Sequence, residues 1–341
     1  AHIDAKIEAY LTELDSQDTA VAAPAPSTGD LYAKLELLHT RREQYAQYQQ
    51  ELAERGIKQL SLTDPDCRFM PVGQSTEVGY DDQVVVDAKH KLIVEHEVTN
   101  AVTDQDQLSP MALRAQQLLQ VETLKVVADV GYYDGDEVKT CLDAGIVPYI
   151  AKPQTSHNQK AGLFTKADYV YDTDQDTYRC PAGAELTYRF TTLENGRPTR
   201  YYATPACGTC PIRSSCTRSQ KEGRRITRWE HEHLLDAMAK RVRDHPDIMR
   251  QRKEIVEHPF GTIKRTMDQG YFLLRGLPRV STEMSLTVLA YNLKRVIAIL
   301  GVHAMIAAVL ASGHNALDAT IAGAWFLVTM IAIHLVLSSD H

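Results

Sequence analysis

Two acids close apolar runs in this sequence, Asp87 in "VVVDA" and Asp129 in "VVADV". Open α/β sheets place their sites at the ends of strands, so carboxylates there are candidates for chemistry. Two or three such groups brought together make a hard oxygen site, suited to Mg²⁺ or Mn²⁺ and to phosphate oxygens. A pair of these ions activates an attacking oxygen and stabilises a leaving one in phosphoryl transfer. Taken singly, each Asp reads more readily as a turn residue that ends a strand.

A third acid stands in "RKEIVEHPFGTIKR", residues 252–265, where Glu257 precedes Lys264 by seven positions across Pro259 and Gly261. On a continuous helix that spacing puts both on one face, about 10 Å apart, the reach from a metal to a neighbouring phosphate. Proline lacks the helical donor, so a kink or a helix restart is expected just after Glu257.

Cysteines form the other constellation. Cys207-x₂-Cys210 has knuckle spacing, Cys216 follows in "SSCT", and Cys180 lies upstream in "YRCPAG". One distant cysteine and a local trio suit a four-sulfur zinc site, which would be structural because no coordination position stays open. A redox pair or unligated thiols are the alternatives. Cys67 and Cys141 read as ordinary core or surface residues. Asp104 and Asp106, in "TDQDQ" before a helix, read as caps, and His90, His96 and His157 have no partner at metal-ligand spacing.

The elements that must position these groups follow from periodicity. Residues 1–15 and 30–56 read as helices, the second with apolar Leu31, Leu35, Leu37 and Leu38 and a stop at Gly56. A Pro/Ala/Ser linker separates them. "VVVDA" and "LIVEHEV" read as an antiparallel hairpin turned at "KHK". "SPMALRAQQLLQ" is a helix with Ser109 as cap and Pro110 at the first helical position. "LKVVAD" is a buried strand. Asp134 and Glu137 stand as a capping box for a helix to about residue 144, Gly145 ends it, and "IVPYIA" is a further strand. This order implies a mixed sheet with helices on it. From 152 to 229 the pattern loses regularity. Helices return at 230–257 and 281–300, the latter with Ser281 or Thr282 as cap and an apolar stripe through Met284, Leu286, Leu289, Leu293 and Ile297.

The chain has 341 residues, 44% hydrophobic, enough for one large domain or two ordinary ones, and a net charge of −7 that argues against general nucleic-acid affinity. Residues 213–265 run against that average, with fourteen Lys/Arg against eight Asp/Glu, which marks either a localised polyanion contact or a solvated helix face. Residues 321–338 carry no Asp, Glu, Lys or Arg. Their length is at the lower limit for a membrane span, and a buried or oligomer-facing helix is the favoured reading.

Five stretches, "GYDDQVVVDAKHKLIVEHEVTNAVTDQDQLSPM", "VVADVGYYDGDEV", the cysteine segment from "YRCPAG" to "CPIRSSCT", "EIVEHPFGTIK" and "LRGLPRVSTEMSLTVLAYNLKR", resemble in order bacterial insertion-sequence transposases of the IS1182 type, within the broader IS4/IS5-like DDE class. The resemblance runs from about residue 60 to 300. It implies a ribonuclease-H-like core, a DDE triad of Asp87, Asp129 and Glu257, and two Mg²⁺ (or Mn²⁺) ions held by that triad. It implies as partners the transposon-end DNA and target DNA, a homodimer when active, and a cytoplasmic, nucleoid-associated location. The family's helical signature of Tyr, Arg, Glu and Lys is matched at Glu257 and Lys264. Its Arg position falls on Lys253, with Arg252 one residue off, and its Tyr position on Arg250, so the phosphate contact keeps its charge but loses the arginine fork. No helix-turn-helix is visible, and the family's end-recognition region is expected before Ala1.

The expected fold is therefore α/β: a ribonuclease-H-like mixed sheet flanked by helices, with a Cys-rich insertion and helical terminal extensions. Residues 1–60 form an arm or connector, 61–151 the first part of the core, 152–229 the zinc-binding insertion holding Cys180, Cys207, Cys210 and Cys216, 230–300 the last part with Glu257, and 301–341 a hydrophobic tail. The rival readings are a ribonuclease-H-like nuclease or DNA-binding relic, and a membrane-associated or oligomerising protein acting through its C-terminal segment.

Overall fold

The buried apolar residues sort into two units, each with its own packing. The computed structural model describes residues 2–19, 28–73, 75–153, 157–219 and 221–312. The first unit comprises residues 1–81 with 275–277, and the second 82–274 with 278–341. The hydrophobic stretch 321–338 lies outside the described residues. Among those described, no helix is long and apolar enough to cross a membrane.

In the first unit, helices α1 (His2–Thr19) and α2 (Thr28–Glu54) pack through Ile7, Leu31, Leu35 and Leu38. Leu37, also apolar in the sequence, points to solvent. A hairpin follows, β1 (Arg68–Val72) against β2 (Ser75–Gly79).

The second unit opens with the expected hairpin, β3 (Asp81–Val86) and β4 (Ile93–Thr99). Helix α3 (Leu108–Leu119), strand β5 (Leu124–Ala128), helix α4 (Gly135–Asp143) and strand β6 (Ile146–Ile150) come next. β5 and β6 are parallel, Leu124 opposite Ile146 and Ala128 opposite Ile150, with α4 as their crossover. Leu108, Ala112, Val138, Cys141, Ile146 and Ile150 are buried together in their core. Burial pushes the Cys141 thiol up to about 12.

Several expectations need correction. α3 begins at Leu108, so Ser109 is inside its first turn and not its cap. The Ser109 amide donates to Glu137 Oε2 at 2.7 Å. Asp134 does cap α4, accepting from the amides of Asp136 and Glu137. The Glu137 carboxylate, however, goes to this one amide at the start of the neighbouring helix and does not close the box. The single mixed sheet is also not formed: β3–β4 and β5–β6 are separate two-stranded ladders. Beside β4 a side chain stands in for a strand. Asn292 accepts from the Ile93 amide at 2.9 Å and donates to the Ile93 carbonyl at 2.8 Å, which satisfies both backbone groups of an edge residue.

Regularity returns where the sequence looked irregular. After the short helix α5 (His157–Lys160), strands β7 (Val170–Asp172), β8 (Thr177–Arg179), β9 (Glu185–Glu194), β10 (Arg197–Ala203) and β11 (Ile226–Trp229) form one antiparallel sheet, ordered β11-β10-β9-β8-β7. Asn195 and Gly196 both have positive φ, as a two-residue hairpin turn requires. Tyr178, Leu186, Tyr202 and Ile226 fill the core of this sheet with Tyr169. Asp176 gathers Tyr171, Tyr202 and Arg200 through hydrogen bonds of 2.7, 2.6 and 2.5 Å. Arg197 fastens this sheet to the start of α4, donating from Nε to Asp136 and from Nη2 to Asp134.

The helices α6 (Glu232–Asp244), α7 (Ile248–Thr266), α8 (Leu277–Leu300) and α9 (Val302–Ser312) complete the described chain. α7 runs unbroken through Pro259 and Gly261, with Pro259 buried, so there is no restart after Glu257. α8 starts before Ser281 and buries Val280, Glu283, Met284, Thr287, Val288, Tyr291, Asn292 and Val296. Leu286, placed in the expected stripe, is 60% exposed. Glu283 is inside because it accepts the amides of Leu273 and Leu274.

Candidate active site

Each of the two aspartates owes its position to a strand that ends just before it. Asp87 is the first residue after β3, and its backbone amide closes the hairpin on the Leu92 carbonyl at 2.8 Å. Its carboxylate accepts the His90 amide across the turn, with the His90 ring 3.3 Å away. Asp129 is the first residue after β5 and caps the Val130–Tyr132 turn by accepting the Val130 amide at 2.8 Å. Both line one cavity of about 700 Å³, walled largely by apolar side chains of β3, β5 and α7. On the α7 wall are Arg252, Ile255, Val256 and Phe260.

The turn after Asp129 is held by residues that the sequence did not single out for this. Gln83, almost fully buried on β3, donates to Asp104 at 2.8 Å and accepts from the Tyr132 hydroxyl. Asp104 is thus a tether between β3 and the 130–132 turn, beyond any capping role. The signal was Gly131: a Cβ there would meet Asp104 Oδ2 at 2.8 Å, so only glycine lets the carboxylate in this close. A parallel chain of contacts braces Asp87. His258 of α7 bonds the Tyr291 hydroxyl at 2.9 Å, and Tyr291 donates to the Lys91 carbonyl at 2.5 Å. Arg295 donates to the His90 carbonyl at 2.6 Å. Burial, with Arg295 and Lys91 nearby, holds the His258 pKa below its ordinary value.

α7 does not present its signature residues to this cavity. Arg250, Lys253, Glu257 and Lys264 are all exposed. At about 100° per residue they fall within one stripe about 60° wide, opposite the Ile255–Val256–Pro259–Ile263 side. Glu257 lies 3.7 Å from Lys253 along that stripe, Arg250 is 3.0 Å from Asp247, and Lys264 stands 6.0 Å over the Phe260 ring. Arg252 reaches inward, with Nη2 3.3 Å from Asp129 Oδ2. Asp87 and Asp129 therefore share a cavity, Glu257 does not join them, and a cation from α7 stands at one of the acids. Among the described residues, no three or more His, Cys, Asp or Glu side chains converge as a metal-holding group.

Comparison with known families adds an independent observation. Residues 179–297 match the family model described as a transposase DDE domain. The match supports a DDE transposase, a family that in general uses divalent metals. It covers Glu257 and Lys264 and lies wholly C-terminal to Asp87 and Asp129, so it does not reach those two acids. No curated protein and no solved structure gives a match.

Proposed function

We propose that this chain carries the catalytic region of an IS1182-type insertion-sequence transposase, which cuts DNA at element ends and joins the freed 3′-hydroxyl to target DNA. The observation that carries the reading is that Asp87 and Asp129, at two separate strand ends, both line one cavity in a chain whose later residues match a transposase DDE domain. Two hard carboxylates fit Mg²⁺ or Mn²⁺, and Asp87 and Asp129 would hold the ions. Such ions, when bound, supply Lewis-acid stabilisation to the attacking and leaving oxygens of an in-line displacement.

The chain's own groups do the rest. His90 and the 87–92 turn orient Asp87. The Asp104–Gln83–Tyr132 tether orients Asp129. Arg252 neutralises Asp129 until ions replace it. Glu257 is the third acid of this reading on its spacing to Lys264. As placed it lies on the outward stripe of α7, so its entry requires that helix to rearrange around its buried Pro259 and Ile263. Lys253, Lys264 and Arg250 share that stripe with Glu257 and would contact phosphates of the DNA beside it, so DNA affinity falls as salt rises.

The test is nicking of supercoiled, element-end-bearing plasmid in Mg²⁺. Wild type should cut, and Asp129→Ala should not. Equal cutting by both would remove the proposed site, and cutting without joining in a strand-transfer assay would leave a nuclease.

A further inference from the structure

Cys180, Cys207, Cys210 and Cys216 arrive from three separate turns and line a single small cavity of about 20 Å³, together with Arg213 and Arg224. We propose that these four sulfurs hold a structural zinc ion, with the Arg224 guanidinium donating to the thiolates. The proposal stands apart from the transposase reading.

Four observations carry it. First, the sulfurs converge although Cys180 is far from the others in sequence. Cys180 sits in a tight turn after β8, where its carbonyl accepts the Gly183 amide at 2.8 Å. Cys207 lies in the middle of the Pro205–Thr209 turn and Cys210 caps its end, and Cys216 caps the Arg213–Ser215 turn. Second, among the described residues between β10 and β11 the regular structure is those short 3₁₀ turns, with no strand ladder to hold them. Segments of that kind commonly take their order from a bound metal. Third, Arg224 Nε is buried and has no hydrogen-bond partner. A buried donor without an acceptor is costly, and a thiolate sulfur supplies the missing acceptor. Zinc with four thiolates carries a net charge of about −2, which the two lining arginines offset. Fourth, Gly223 packs so closely on Cys207 that a Cβ would lie 2.7 Å from the Cys207 Cβ, which confines that cysteine to the cavity.

The cavity's size suits a lone ion and no organic ligand. All six cysteines of the chain are free thiols. Soft sulfur ligands select zinc over the hard ions suited to the acids. The sulfurs are not yet at metal-holding distance, so binding draws the turns inward, and each thiol that ligates releases its proton to solvent.

The experiment is metal analysis of the full chain purified from zinc-supplemented medium, with Cys207→Ser/Cys210→Ser and Cys67→Ser beside it. Wild type and Cys67→Ser should carry one zinc per chain, and the double variant none. Cobalt-loaded wild type should show the absorption of a tetrahedral sulfur site. If the double variant fails to fold, zinc release from wild type by a thiol-specific mercurial decides. Zinc-free folded wild type, a Cys207–Cys210 disulfide, zinc retained in the double variant, or zinc that the mercurial does not release would each overturn the proposal.

Discussion

The acid cavity beneath α7 holds about 700 Å³ and the cysteine cavity about 20 Å³. In the first, polar groups sit at strand ends around an apolar hollow, and Asp129 meets the Val130 amide and the Arg252 guanidinium. In the second, four cysteines line a space with room for an ion and no organic ligand. The difference separates two uses of convergent side chains. A site that works on a substrate keeps volume and unspent charge for another body. A site that holds a fold closes around its ligand and leaves no open position.

The comparison breaks first if the acids are not catalytic. Asp87→Ala and Asp129→Ala should each lower Mg²⁺-dependent nicking by on the order of a thousandfold, the size of losing a Lewis-acid contact. Asp129 is 54% exposed, so circular dichroism melting of its variant should stay near wild type. By contrast, Met238 is fully buried in the core beside the cavity, packed in the cluster with Val138 and Ile150. Met238→Ala should cost about 2–5 kcal/mol in urea denaturation, because close-packed surroundings collapse only in part. Asn292→Ala removes both partners of Ile93 and should cost about 1–3 kcal/mol by the same assay.

The smallest effect concerns acid stability. Burial pushes the Asp134 carboxyl up, but Arg197 and the amides of Glu137 and Asp136 outweigh it and hold it below the usual range. A depressed folded pKa contributes stability above the unfolded value of about 3.9, which is lost as pH falls through the folded one. Arg197→Ala should therefore flatten the loss of stability on acidification below about pH 4. An unchanged slope in pH-dependent melting would detach that pair from the account.

Local patterning made part of this legible. β5, α4 and β6 announce themselves because apolar runs, a capping Asp134 and the positive-φ Gly145 agree with one another, although β5, expected to be buried, is only half-buried where it lines the cavity. The positions of Asp87 and Asp129 follow from the same strand ends. The β9–β10 hairpin was equally available from Asn195-Gly196 and from the alternation of Leu186, Tyr188 and Phe190 with polar residues, although β9 itself is largely exposed. The α8 face was misplaced because polar Glu283, Thr287 and Asn292 are buried by hydrogen bonds that only tertiary structure supplies. Pro259 suggested a restart, yet α7 tolerates it within a single helix. The outward turn of Glu257 could have been read from Ile255, Val256 and Ile263, which set the inner face and leave Glu257 off it.

The most direct test of the central claim, that Asp87 and Asp129 share a divalent-metal site, is iron-directed cleavage of the polypeptide itself. Fe²⁺ replaces Mg²⁺, ascorbate and peroxide generate radicals at the bound ion, and the fragments are mapped by mass spectrometry. The account predicts cuts beside residues 87 and 129 that excess Mg²⁺ suppresses and Asp129→Ala abolishes, with a further cut near 257 once DNA is bound. Cuts confined elsewhere, or cuts at 87 and 129 that survive Asp129→Ala, would contradict it.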